Sequence, residues 1–333
     1  MSSEFQLHRR AALRWTAAAA AGVVAPVWAQ ASDWPSKQAI KLIVPFPAGG
    51  PADVMGRLVA QVLGIALKTT VVVENKAGAG GNLGTDQIAK AAPDGYTLGL
   101  SAISSLAIAP TLQPKLPYNV ERDLLPISLV GVARGALVAH PSAPFTDLKG
   151  LIAYAKAHPG KLAYGSSGVG TSNHLQGEYL AMRAGIELLH IPYKGTAPLA
   201  QDLLAGAIPM AFESSLVTAG PNVQTGKLKA IAITAHGRAP LLPQVPTLEE
   251  QGITPFDMPT WFGLVGPAGL PKAMVTQLEK VLAEGLKTPT MQERFAAIGA
   301  DTRPGTSAAF ARYIREETQR YATIIQQAKV TLD

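Results

Sequence analysis

An α/β fold with mostly parallel sheets is what this sequence predicts, on three observations. Short, near-continuous apolar runs alternate with amphipathic helical patterns along almost the whole chain. That alternation marks sheets covered by helices on both faces. Gly and Pro punctuate the joints, as at Pro93-Asp94-Gly95, where Pro presets φ and Gly accepts a positive φ. The 333 residues are 47% hydrophobic and only 16% charged, with 32 Gly and 26 Pro, enough apolar material for sizeable cores. The length favours two domains over one.

The elements follow in order. Ile40 to Phe46 reads as a strand. Asp53 to Lys68 reads as a helix, with Val54, Met55, Leu58, Val59, Val62 and Leu63 on one face. Thr69 to Glu74 is a strand, Asn82 to Ala92 a helix and Tyr96 to Leu100 a strand. After a break the pattern resumes with a strand at Ala136 to Ala139 and a helix at Thr146 to His158. Lys161 to Tyr164, Glu187 to Ile191, Ile208 to Phe212 and Lys229 to Thr234 are strands, with helices at Ser172 to Ala184 and Ala197 to Ala205. Pro240, Pro243, Pro246 and Pro255 mark a connector. Phe256 to Val265 reads as extended, and helices from Pro271 to Leu286 and from Ser307 to about Gln327 close the chain. Composition shifts near 125–135 and 240–265 predict two crossings between domains. One domain is then discontinuous, 32–132 plus 256–333, around a second of 133–255.

The N-terminus has the order of a secretory signal peptide over residues 1–31. Arg9, Arg10 and Arg14 precede an apolar run from Trp15 to Trp28, and small residues close it. The run is shorter than the roughly 20 residues a spanning helix needs. The paired arginines leave a twin-arginine export route open. Loss of three arginines and Glu4 with this segment lowers the net charge from +6 to +4. That mild, dispersed excess gives no footprint for nucleic acid, and no binding to it is expected. Cysteine is absent, which excludes disulfides, thiolate chemistry and an anchor on an N-terminal cysteine. The expected location is the periplasm, in soluble form.

In open α/β sheets, ligands lie beyond the carboxyl ends of strands, against helix starts that offer free N–H groups and partial positive charge. The first such loop is Phe46-Pro47-Ala48-Gly49-Gly50-Pro51-Ala52-Asp53. Gly49 and Gly50 allow close backbone approach, and Asp53 suits an N-cap. The second, Gly78-Ala79-Gly80-Gly81-Asn82-Leu83-Gly84, lacks the dinucleotide spacing and reads as turn chemistry. The third runs from Gly165 through Ser166, Ser167, Thr171, Ser172 and Asn173 to His174. Its spacing approaches a P-loop, but Thr171 stands where the phosphate-binding lysine is required, which argues against an NTPase. A loop rich in glycine and hydroxyls at a helix start instead suits a carboxylate. Ser172 is also placed to cap that helix. His174 either faces the ligand or bonds the backbone at the helix start. Glu213 either faces the cleft or pairs with a surface lysine. The histidines lack zinc spacing and no G-x-S-x-G elbow occurs, so no metal, cofactor or catalytic residue is expected.

These segments carry a resemblance. Lys41-Leu42-Ile43-Val44-Pro45-Phe46-Pro47-Ala48-Gly49-Gly50, Val71-Val72-Val73-Glu74-Asn75-Lys76-Ala77-Gly78-Ala79-Gly80-Gly81-Asn82, Pro93-Asp94-Gly95-Tyr96-Thr97-Leu98 and Lys115-Leu116-Pro117-Tyr118 appear in order. Ile191-Pro192-Tyr193-Lys194-Gly195, Pro246-Thr247, Glu249 and Trp261-Phe262-Gly263-Leu264 follow. Over roughly 34–330 the chain resembles the tripartite tricarboxylate transporter substrate-binding proteins, or Bug family. The resemblance implies an α/β, type II periplasmic binding protein: two lobes, each with a mainly parallel sheet flanked by helices, and a cleft between them. It implies a small carboxylate ligand, the membrane subunits of such a transporter as partners, a monomer, and no enzyme activity. Carried over, the ligand-binding residues are Phe46, Ala48, Gly49, Gly50, Asp53, Ser101, Ser105, Ser166, Ser167, Thr171, Ser172, Asn173, His174 and Glu213. Three departures bear on the ligand. Ala52 replaces a hydroxyl residue, Leu106 and Ala109 replace a His and an Asn, and Glu213 replaces an Asp. Fewer polar groups point to an aromatic or otherwise partly apolar monocarboxylate rather than citrate. Presentation of the ligand to a membrane sensor is the alternative role.

Overall fold

The structure is a computed structural model that describes residues 34–331. The signal-peptide reading of 1–31 lies outside the described residues. Residues 34–37 form a turn in an N-terminal unit; the chain from Gln38 onward is a second unit.

That second unit holds two sheets. The first contains β1 (Ile40–Val44), β2 (Val71–Asn75), β3 (Thr97–Ala102), β4 (Leu124–Ala133), β10 (Thr260–Pro267) and β11 (Ala300–Thr302) in the order β11-β4-β10-β3-β1-β2. The second contains β5 (Ala136–Ala139), β6 (Leu162–Ser166), β7 (Leu188–Pro192), β8 (Met210–Glu213) and β9 (Lys229–Ile233) in the order β7-β6-β8-β5-β9. The chain therefore passes between the sheets at 134–135 and again over 234–259.

In both sheets most strands point one way, four of six in the first and four of five in the second, with a few reversed strands among them. β1 pairs in parallel with β2 and β3, and β6 with β7 and β8, as strands joined through helices do. β10 and β11 run antiparallel to their neighbours in the first sheet, and β5 runs antiparallel to both of its neighbours in the second. Two of these reversed strands, β5 and β10, are the ones the chain enters as it crosses from one sheet to the other.

Helices join the strands: α1 (Pro51–Leu67), α2 (Asn82–Ala89), α3 (Ala109–Leu112), α4 (Val120–Asp123), α5 (Leu148–Ala157), α6 (Ser172–Ala184), α7 (Thr196–Leu204), α8 (Leu216–Gln224), α9 (Lys272–Gly285), α10 (Pro289–Ala296) and α11 (Ser307–Ala328). A 3₁₀ turn, Ala79–Gly81, precedes α2, and a π turn, Ser104–Ile108, precedes α3. The sequence pattern located most of these but missed β4, α3, α4, α8, α10 and β11. β4 contains Pro126, which normally demotes a strand. Here it is accommodated at a register irregularity opposite Val265. α8 carries Pro221 inside it, and β11 is only three residues long.

β10 is buried along its whole length. Trp261 and Phe310 meet edge to face there, with ring centroids 5.8 Å apart. The Trp261 indole donates to Glu317 Oε2 at 2.9 Å, and Arg320 Nε donates to Glu317 Oε1 at 2.7 Å. This buried pair ties α11 to the strand that forms the back of the cleft.

Candidate ligand-binding site

Where the two sheets face each other, three helix starts converge. α1 begins at Gly50, α6 at Thr171 and α7 at Gly195, and none of these positions caps its helix with a side chain. By contrast α4, α5, α8 and α11 begin on the capping side chains of Asn119, Asp147, Ser215 and Thr306. An uncapped first turn leaves N–H groups without an intrahelical acceptor and a partial positive charge beside them. The three starts enclose a cavity of about 30 Å³.

Seven hydroxyl side chains reach its wall: Ser104, Ser167, Thr171, Ser172, Thr196, Ser214 and Thr260. Phe46, Ile103 and Phe262 supply apolar surface, together with Pro and Ala residues. Among the described residues none that lines the cavity is charged. The hydroxyls are not equivalent. Ser167 Oγ donates to Asn173 Oδ1 at 2.9 Å. Thr171 Oγ1 donates to the Gly168 carbonyl at 2.6 Å or to Asn173 Oδ1 at 2.7 Å. Ser104 Oγ donates to the Gly80 carbonyl at 2.9 Å. Those protons are committed to the protein. Ser172 Oγ and Thr260 Oγ1 lie 2.8 Å apart, so one of the two donates to the other and the second proton is free. The hydroxyls of Thr196 and Ser214 have no hydrogen-bond partner among the described residues. The donors left open to the cavity are therefore the helix-start N–H groups, Thr196, Ser214 and the Ser172–Thr260 pair.

Of the residues named from sequence, Phe46, Gly50, Ser167, Thr171 and Ser172 line the cavity. The others stand beside it. Ala48 and Gly49 are on the exposed side of the first turn. Asp53 is not the N-cap; Gly50 is, and Asp53 lies in the first turn of α1. Its carboxylate accepts from the Gly49 N–H at 3.0 Å, Arg57 Nε at 3.0 Å and Asn75 Nδ2 at 3.1 Å. Burial pushes its pKa up, but these hydrogen bonds outweigh burial and hold it below the ordinary value. Asn75 also donates to the Phe46 carbonyl at 3.0 Å, so the cluster braces the turn from behind.

Ser101 and Ser105 are buried under the cleft. Ser101 shares a hydrogen bond with Thr85, and Ser105 donates to the Ala102 carbonyl. Ser166 bonds His190 Nε2 at 2.6 Å and accepts from the Gly168 N–H. Asn173 is fully buried and fixes the third loop to β8 through the Phe212 carbonyl at 2.9 Å. Ser172 is the first helical residue rather than the cap. His174 takes the backbone-bonded alternative: its Nδ1 accepts from the Gly170 N–H at 3.2 Å, and its ring stacks on His190 at 4.1 Å. Burial, with the neighbouring His190 second, lowers its pKa to about 3; burial lowers that of His190 to about 4. Glu213 is 1% exposed, is not in the cavity wall and accepts from Thr218 at 3.3 Å rather than from a lysine. Burial raises its pKa to about 8, against a smaller lowering from Thr218.

Sequence reading missed Ile103, Ser104, Thr196, Ala197, Ser214, Thr260 and Phe262. The run from Pro192 to Gly195 between β7 and α7 repeats the strand–glycine–helix pattern of the other two loops and could have revealed Thr196. Thr260 carries no local signal, because it reaches the cavity on a reversed strand. Among the described residues no group of three His, Asp or Glu side chains is arranged to hold a metal.

Residues 55–330 match a family described as tripartite tricarboxylate transporter family receptor. The chain belongs to that family. Its members are solute-binding receptors, not enzymes. The receptor is 38% identical to Protein BugT of Bordetella pertussis over 94% of its own length and 95% of BugT. Its fold matches the periplasmic binding protein BugD with a TM-score of 0.84 at 35% identity, covering 89% of this chain and 99% of BugD. It also matches MatC from Rhodopseudomonas palustris with bound malate, with a TM-score of 0.82 at 30% identity over 87% and 99% of the two chains. A two-lobed binding-protein fold is thereby shown, with the receptor's cavity between the lobes.

Proposed function

We propose that this receptor captures a small, partly apolar carboxylate in the periplasm. It then delivers the ligand, as a monomer, to the membrane subunits of a tripartite tricarboxylate-type transporter. One observation carries the reading: three uncapped helix starts and free hydroxyls meet at a cavity whose wall has no charged side chain. Such a site favours an anion through N–H groups and helix dipoles. It lacks the carboxylates that would hold an amine. The malate bound to MatC supports the ligand class. Phe46, Ile103 and Phe262 suit an apolar body on the acid.

A cavity of about 30 Å³ has room for roughly two waters, so loading requires the lobes to part. The hinge is proposed at the two inter-sheet crossings, 134–135 and 234–259, close to the domain limits read from sequence. A thermal-shift screen tests the function. Carboxylates should stabilise the protein by about 2.7 kcal/mol at 100 times the dissociation constant. Stabilisation by amines or neutral sugars, with none by any carboxylate, would contradict it.

A further inference from the structure

Behind the hydroxyl-lined wall stands a carboxyl group with no cation bonded to it. Ser214 lines the cavity, and Glu213, the residue before it, ends β8 in a buried position. The same residue lies between the two inter-sheet crossings. A Cβ at Gly135 of the first crossing would meet both the Glu213 carbonyl oxygen and Thr234 Oγ1 at the start of the second. Strand alternation puts the Glu213 side chain on the Ala211 face of the sheet, where α7 and α8 pack. There Thr218 Oγ1 donates to Glu213 Oε2 at 3.3 Å.

The charges on neighbouring segments are committed elsewhere. β5, β6 and α8 carry no charged residue. Lys229 of β9 donates to the Ala143 and Phe145 carbonyls, and Asp202 of α7 accepts from Tyr193 at 2.8 Å. In α6, on the other face of the sheet, Glu178 accepts from Tyr164, His174 accepts from the Gly170 N–H, and Arg183 is exposed. Along the crossings Arg134 pairs with Asp301, His236 with Glu249 and Arg238 with Glu250, while Asp257 accepts from the His236 N–H. Burial without a counter-charge raises the Glu213 pKa to about 8.

We propose that the receptor takes up a proton together with its anionic ligand, and that Glu213 is the site of that proton. The inference rests on the carboxylate reading of the cavity and deepens it. An ionised Glu213 directly behind the wall opposes a ligand carboxylate across a water-poor interior, where like charges repel more strongly than in water. A neutral Glu213 removes that opposition. By linkage, anion and proton then each strengthen the binding of the other. A monocarboxylate is captured in this way without net charge.

The test is calorimetry with benzoate, hexanoate, malate and adipate, all ionised above pH 7. Thermal melts first establish that Glu213→Gln and Glu213→Asp are folded. For the acid that wild type binds most tightly, affinity should fall about five- to tenfold from pH 7 to pH 9. Titrations at pH 8 in phosphate and in Tris, buffers of different ionisation enthalpy, should report uptake of about 0.4 of a proton per ligand. Glu213→Gln should abolish both effects, which separates Glu213 from the α-amino group that also titrates near pH 8. Glu213→Asp, which restores a carboxyl, should take up a proton again. Flat wild-type affinity from pH 7 to pH 9 with no proton uptake would overturn the inference and leave the carboxylate reading standing. Proton uptake that survives in Glu213→Gln would overturn it as well. Binding of none of the four acids would remove the reading on which the inference rests.

Discussion

Ser172 and Thr260 share one hydrogen bond at 2.8 Å and leave one proton for a ligand. Ser172→Ala should therefore weaken carboxylate binding by about 1 kcal/mol, roughly fivefold, with little change in melting temperature; calorimetry checks this. Asn173 behaves oppositely. It makes contacts with Ser167, Thr171 and the Phe212 carbonyl from a fully buried position. Asn173→Ala should cost about 2 kcal/mol of folding stability in urea denaturation, because buried partners lose their bonds. Gly49 has open space around its missing Cβ but a φ of +82°. Gly49→Val should strain the turn rather than obstruct a ligand. Glu213 titrates at about 8 when folded, above its ordinary value. The folded chain then keeps a proton that the unfolded chain has lost, so this contribution is full below about pH 4.5 and declines as pH rises to 8. Stability of Glu213→Gln, followed by melts from pH 5 to 8, should decline less than that of wild type. Retention of the full wild-type decline would contradict the assignment.

At the scale of elements, the loop before α6 rests on stacked His174 and His190, whose pKa values are lowered to about 3 and about 4. Both stay neutral in the folded chain while the unfolded chain takes up protons below about pH 6.5. Their contribution is complete above that pH and falls as pH drops toward 4. Proton NMR of the two rings should show no titration above pH 5. Lobe closure depends on another element joint, the start of α7. A Cβ at Gly195 would stand 2.6 Å from Pro47 Cγ, and the residue has a φ of +114°. Gly195→Ala should lower ligand affinity at least about tenfold by holding the lobes apart. Small-angle scattering with saturating ligand should show less contraction than in wild type. The parallel strands and the helices that follow them were legible in sequence, because apolar runs and glycine joints are local signals. β4 was missed, and the reversed strand β10 was read only as an extended stretch from Phe256 to Val265. Pro126 obscured the first, and the pairing partners of the second lie more than a hundred residues away.

Across the whole molecule, two sheets place their strand ends opposite one another, and the site is the sum of what those ends offer. The sequence revealed the two loops at Phe46–Asp53 and Gly165–His174 because both carry glycines at a helix start and the second adds hydroxyls. It did not reveal which of their side chains face inward. Asp53, Ser166, Asn173 and His174 have the right chemistry, yet they brace the loops from behind, a distinction set by packing rather than by residue type. Nor could it show that Thr196, Ser214 and Thr260 come from three further segments to complete the wall. The central claim is that a negative charge is held without a cationic side chain, by uncapped helix starts and neutral hydroxyls. Calorimetry of the most stabilising acid from the screen beside its uncharged carboxamide tests this most directly. The acid should bind at least about a hundredfold tighter than the amide, since helix-start N–H groups favour the anion. Equal affinity for acid and amide would contradict it.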